Sequence, residues 1–255
     1  MRDAGLEEAI RAAGGVGALA QKIGISQPSV SNWSRVPAER VVSVEAATGV
    51  ARAILRPDLY GTDIDIDETD AARASEYALL AVLLARAPDG DLLERLAALR
   101  GDASPLGLAH VALADAAAAT TAERVEREFF NLFIGVGRGE LMPYGSYYQS
   151  GFLYERPLAR LREQLLKLGI ERSEGNAEPE DNAAILCEIM SGLVSGRLPA
   201  PPGADRELFE KHIAPWLGRF FSDLERADEA DFYRRVGALG RLFMTIESEA
   251  FALPS

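Results

Sequence analysis

Three carboxylates and a proline open the stretch AEPEDNAAILCEIM, residues 177–190, which then turns apolar at helical spacing. Glu178, Glu180 and Asp181 could act there as a solubilising helix cap, as a catalytic carboxylate pair, or as a receptor for something basic. Acids in a first helical turn are favoured by the helix dipole alone, by ~0.3–1 kcal/mol each. A catalytic pair needs a neighbouring nucleophile or a pocket of polar specificity, and the surrounding sequence offers neither. A second cluster lies upstream, in FFNLFIGVGRGELMPYGSYYQSGFLY, residues 129–154. Tyr144, Tyr147, Tyr148, Phe152 and Tyr154 follow Pro143 closely. Tyrosine joins an apolar ring to a polar tip, so this cluster predicts a partly exposed groove. Gly135, Gly137 and Gly139 make no phosphate loop, because no strand leads into them and no GK[ST] follows.

Other chemistries find little support. The two histidines, His110 and His212, lie far apart, and neither stands at ligand spacing from the single cysteine, Cys187. Cys187 falls between Leu186 and Ile189 and reads as a small buried hydrophobe. His212 and Trp216, one helical turn apart, read as packing partners. These patterns predict no catalytic residue, no metal and no cofactor.

The chain has 255 residues, 48% apolar and 26% charged, enough for one large or two unequal domains with a substantial core. No run approaches the 18 apolar residues of a membrane span. The N-terminal MRDAGLEEAIRAAGG carries charges where a signal peptide needs an apolar stretch, so a cytoplasmic protein is expected. A lone cysteine agrees with a reducing compartment. The net charge of −12 is unevenly spread: residues 1–61 hold seven Lys/Arg against six Asp/Glu, and the remainder holds 20 against 33. The first part can approach phosphate, whereas the second would be repelled by it.

Composition divides the chain into residues 1–61, an acidic linker over residues 62–71, and residues 72–255. Strand signals are almost absent. Helical stripes recur instead, among them Tyr77, Leu80, Leu84; Leu158, Leu161, Leu165; and Phe232, Val236, Leu239, Phe243. The breaks between stripes are rich in Gly and Pro, as in PAPPG. The predicted fold class is all-α, a small helix-turn-helix domain followed by a larger helical one.

Within VGALAQKIGISQPSVSNWSR, residues 16–35, small Ala20 stands where two helices would cross, and Gly24 where a tight turn needs positive φ. Ser26 can cap the second helix, and Pro28 is tolerable only in its first turn. Ile25, Val30 and Trp33 should face inward, leaving Gln27, Pro28, Ser31, Asn32 and Arg35 outward. Gln and Asn can bond adenine edges, and Arg can bond guanine or phosphate. From Leu6 to Gly61, with VPAER opening a fourth helix and LRPDLYG closing the segment, the chain resembles the Cro/YdaS-type antitoxin-like repressors. The resemblance implies a small sequence-specific binder of duplex DNA, often a homodimer. Its near-neutral charge releases few counterions, so affinity should be modest.

Across residues 72–255, LF-x-G…PYGSYY, then EPEDN heading an apolar helix, then HIAPW resembles the TorD/DmsD-type maturation chaperones of molybdenum-containing redox enzymes. The matching positions are Pro143, Tyr144, Gly145, Ser146 and Tyr147 in the loop, and Glu178, Pro179, Asp181 and Asn182 at the helix start. The resemblance implies a TorD-like helical fold and a chaperone that is not an enzyme. Its implied client is the apo catalytic subunit of a molybdoenzyme, such as a formate dehydrogenase or an oxide reductase, or the twin-arginine signal peptide of that subunit. Glu178 and Asp181 would pair with guanidinium groups, and the tyrosine cluster, Tyr148 included, would receive the apolar run. Glu180, at the variable position of the motif, is read as a helix-start acid. Asn182 stands where the family usually has histidine, an amide that hydrogen-bonds without titrating near neutrality. A regulator whose chaperone-like half senses unoccupied client is the alternative reading.

Overall fold

A computed structural model describes residues 2–50, 52–56, 59, 68–171 and 178–252. The chain divides into two compact units, Met1–Asp65 and Ile66–Ser255. Among the described residues the regular elements are helical, and the only strand-like pairing is one isolated antiparallel bridge between Tyr144 and Asn182.

In the small unit, helices α1 (Ala4–Ala13), α2 (Val16–Lys22) and α3 (Gln27–Ser31) are followed by a 3₁₀ turn, Ala38–Arg40, then by α4 (Val41–Thr48) and α5 (Arg52–Leu55). The Asp3 carboxylate starts α1 by accepting the Leu6 N–H at 2.9 Å. Leu6, Leu19, Ala20, Val30, Val41 and Leu55 are buried together, with Ile25 and Trp33 packed against them. Gly24 takes φ +70 in the turn between α2 and α3, the backbone that other residues resist. Ser26 caps α3 by accepting the Ser29 N–H, and Pro28 occupies its first turn. Most of the closing LRPDLYG lies outside the described residues.

The larger unit begins with α6 (Glu68–Ala85), so its first helix starts inside the stretch assigned to the linker. Two of the acids that read as linker, Glu68 and Asp70, belong to a first helical turn, where the dipole favours them, and Asp70 also pairs with Arg73 at 2.7 Å. The rest of that linker lies outside the described residues. There follow α7 (Gly90–Ala97), α8 (Pro105–Ala118), α9 (Ala122–Phe129), α10 (Gly145–Ser150), α11 (Arg156–Lys167), α12 (Ala183–Val194), α13 (Ala204–Leu208), α14 (Leu217–Arg226) and α15 (Phe232–Ala252). Single π turns, Phe130–Ile134 and Phe209–Ile213, extend α9 and α13.

Helix α12 packs on α6, and α15 on α14 and α8, around one apolar core. The helical stripes of the sequence supply that core: Tyr77, Leu80, Leu161, Leu165, Val236 and Phe243 are all buried in it. Inside it Glu247, 1% exposed, accepts two hydrogen bonds from Arg73 (2.7 and 2.9 Å) and one from the Tyr77 hydroxyl (2.9 Å). Such a pair stands only when both charges are present, because either one alone would be stranded out of water. Among the described residues, no helix is long and apolar enough to cross a membrane.

Candidate functional site

The two motifs of the larger unit lie about 35 residues apart in sequence and meet in one seam. The Gly145 N–H donates to the Asp181 carbonyl at 2.9 Å and the Ala183 N–H to the Pro143 carbonyl at 2.9 Å, which pairs Tyr144 with Asn182. Gly145 is there for want of space: an added Cβ would lie 3.0 Å from Trp216 Nε1. The indole in turn donates to the His212 carbonyl at 2.7 Å, so PYGSY, EPEDN and HIAPW share one joint.

The seam divides the expected site residues into those that build it and those that face outward. Asp181 is 3% exposed and accepts the Ser146 N–H at 2.6 Å. Ser146 is fully buried as well, and its Oγ and the second Asp181 oxygen meet no partner among the described residues. Asn182 caps α12, accepting the Ala184 N–H at 2.9 Å. Asparagine is among the strongest N-caps, which gives the amide at this position a structural role of its own. Pro179 and Pro143 are buried against the joint. Glu180 pairs with Arg162 at 2.8 Å, in line with its reading as a helix-start acid.

Glu178 is the exposed acid of the motif, and it accepts a hydrogen bond of 2.7 Å from the Tyr144 hydroxyl. Burial, and after it that bond to Glu178, hold the Tyr144 phenol well above its ordinary pKa, so it remains a donor. Tyr148 lays its ring against Trp216 and Phe220 and donates to Asp223 at 3.0 Å; burial and then the Asp223 charge raise its pKa too. Tyr147 is half-buried, edge-on to Tyr148 and within 5.9 Å of the Arg138 guanidinium. Phe152 and Tyr154 are exposed. The tyrosine cluster is therefore graded from core to surface.

Beside Tyr144 and Glu178 opens a trough of about 610 Å³ whose apolar walls include Val82, Phe129, Phe133, Ile134 and Ile185. Ile134 and the neighbouring Val136 are exposed, held out by the π turn and the glycine loop after it. Across the ridge of α12 lies a second cavity of about 590 Å³, lined by Leu165, Leu166, Ile170 and Leu198 among others. Both contain Ile185, Glu188 and Arg197. The sequence reading passed over Glu188, although it is the only charged residue in α12, AAILCEIMSGLV. Among the described residues no cluster of His, Cys, Asp and Glu could hold a metal ion. Cys187 is fully buried, its thiol pushed up to about 12 by burial.

In the small unit Gln27, Pro28, Ser31, Asn32 and Arg35 are all exposed, on and just after the short helix α3. Val30 on the same helix is buried. The face offers an amide, a hydroxyl, a second amide and a guanidinium.

A helical bundle with a tyrosine-and-acid seam over an apolar trough is the class that this geometry defines in the larger unit. Residues 99–222 match the family model described as nitrate reductase delta subunit, and residues 6–64 match that described as bacterial toxin YdaS. The chaperone protein TorD of Vibrio cholerae is 28% identical over 124 residues, which cover 45% of this chain and 55% of that protein. TorD of Aliivibrio fischeri is 25% identical over 135 residues, covering 49% and 63%. The chain thus spans about half the length of the curated relatives it matches. A solved structure from Archaeoglobus fulgidus, described as a redox enzyme maturation protein, aligns with a TM-score of 0.48 at 21% identity, over 68% of this chain and 93% of that one. The larger unit is TorD-like and the smaller YdaS-like, as the motifs of each implied.

Proposed function

We propose that the chain is a cytoplasmic maturation chaperone for a molybdenum-containing oxidoreductase, without catalytic activity of its own. Its larger unit holds the twin-arginine signal peptide, or the apo form, of a catalytic subunit such as that of a formate dehydrogenase or an oxide reductase. The observation that carries this reading is the seam beside the trough: an exposed carboxylate, Glu178, stands at the edge of apolar walls. A twin-arginine peptide has the matching order, guanidinium groups followed by an apolar run. Asp181, Ser146 and Asn182 position that edge, and Tyr144 orients the Glu178 carboxylate. Calorimetric titration of a twin-arginine signal peptide should show binding that is weakened by Glu178→Gln and by Tyr147→Ala. Equal affinity for a twin-lysine peptide would remove the guanidinium part of the reading, since lysine cannot make the bidentate pair.

The exposed row on α3 favours a second role, DNA reading by the small unit, either as a homodimer or as a monomer. The protein would then be a regulator whose larger half senses unoccupied client. A gel shift by the full chain, lost in Asn32→Ala and Arg35→Ala, is the expected result.

A further inference from the structure

We propose that Glu188, on the ridge of α12, is the second carboxylate of the client groove and reads the second guanidinium of a paired-arginine segment. The inference rests on the peptide-binding reading above and deepens it. Of the acids that the motif offers, Asp181 is committed to the Ser146 amide inside the protein and Glu180 to Arg162. Glu178 alone would leave one of two adjacent arginines without a carboxylate.

Glu188 meets the need. It is exposed, makes no hydrogen bond or ion pair among the described residues, and lines both cavities. Its neighbours on the helix, Leu186, Cys187, Ile189 and Met190, are buried. One carboxylate thus projects from an otherwise apolar helix at the place where the two cavities meet, free to make a charge-assisted bond.

The spacing also fits. At 1.5 Å rise per residue, Glu188 stands ~9 Å along the axis from Asn182, the residue paired with Tyr144 at the Glu178 edge. Consecutive residues of an extended peptide point to opposite sides, so two arginine arms diverge to reach carboxylates on the order of 10 Å apart. The apolar run then enters the trough between Val82, Phe133 and Ile134. The cation nearest to hand, Arg197, is bonded to the hydroxyls of Ser191 (2.9 Å) and Ser195 (3.0 Å) and has no carboxylate partner among the described residues.

The test is calorimetric titration of the full chain with a synthetic peptide of two adjacent arginines followed by an apolar run, alongside one with both arginines replaced by glutamine. Glu188→Gln should weaken the arginine peptide about 10-fold, the range expected for one hydrogen bond to a charged group, and leave the glutamine peptide unchanged. Glu188→Arg should abolish binding of the arginine peptide and regain it for a peptide whose second arginine is glutamate. If Glu178→Gln weakens the arginine peptide and Glu188→Gln does not, the Glu188 assignment is overturned and the groove stands. If the unaltered protein binds neither peptide, the peptide-binding reading falls and this inference falls with it.

Discussion

The outward face of α3 in the small unit and the tyrosine-and-acid seam of the larger one use their residues in opposite ways. On α3 the five outward side chains are exposed while Val30 beneath them packs the core. In the seam the residues that define the motif are the ones that hold it shut: Asp181 on an amide, Asn182 on its own helix, Gly145 against an indole. A face separate from the fold can change its specificity at little structural cost. A face that belongs to the fold is held in a fixed shape, and a change there costs stability as well as recognition.

Asp181→Ala should show the difference most strongly. Leaving the buried Ser146 N–H without its acceptor costs roughly 1–3 kcal/mol, read as an earlier urea transition of the larger unit with the small unit unmoved. Asn182→His would remove the cap on α12, for a loss of about 0.5–2 kcal/mol. A thermal melt unchanged by that substitution would break the account of the amide given above.

The histidines separate the units next, because both lie in the larger one. Burial, and then the Lys211 charge, lower the His212 pKa. The unfolded chain therefore takes up this proton first, and stability from His212 is lost as pH falls below ~6.5. His110 has the opposite sign, since its hydrogen bond to Glu76 raises its pKa; that contribution is present below ~6.5 and lost as pH rises through the raised value. Denaturation of His212→Gln and His110→Gln across this range should flatten opposite limbs of the profile, with the transition of the small unit indifferent to both. The smallest effect is expected at Asn32→Ala, within about 0.5 kcal/mol in stability, even where DNA affinity falls.

The legibility of the two regions follows the same division. The cap at Ser26, the glycine turn and the early proline of α3 act over a few residues, so local pattern shows them directly. The seam joins segments far apart in sequence, and no local rule says that Tyr144 pairs with Asn182 or that Asp181 is buried. Charge type suggests exposure for aspartate, and only the fold supplies the amide that lets it stay inside. The same habit placed Glu68 and Asp70 in a linker, where they begin a helix. Glu188 was visible as a lone acid in an apolar helix, but its meaning depends on the two cavities that meet there.

The two tryptophans, Trp33 and Trp216, fall one in each unit. Trp216 is fully buried, 5.5 Å from the Tyr148 ring, and bonded through its Nε1 to a backbone carbonyl. Its emission should be blue and sensitive to the joint of the seam, and Tyr148 is placed to pass excitation to it. Trp33, half-buried beside α3, reports on the other unit alone. With Trp33→Phe the protein carries a built-in optical gauge of the seam, readable in real time without any attached label.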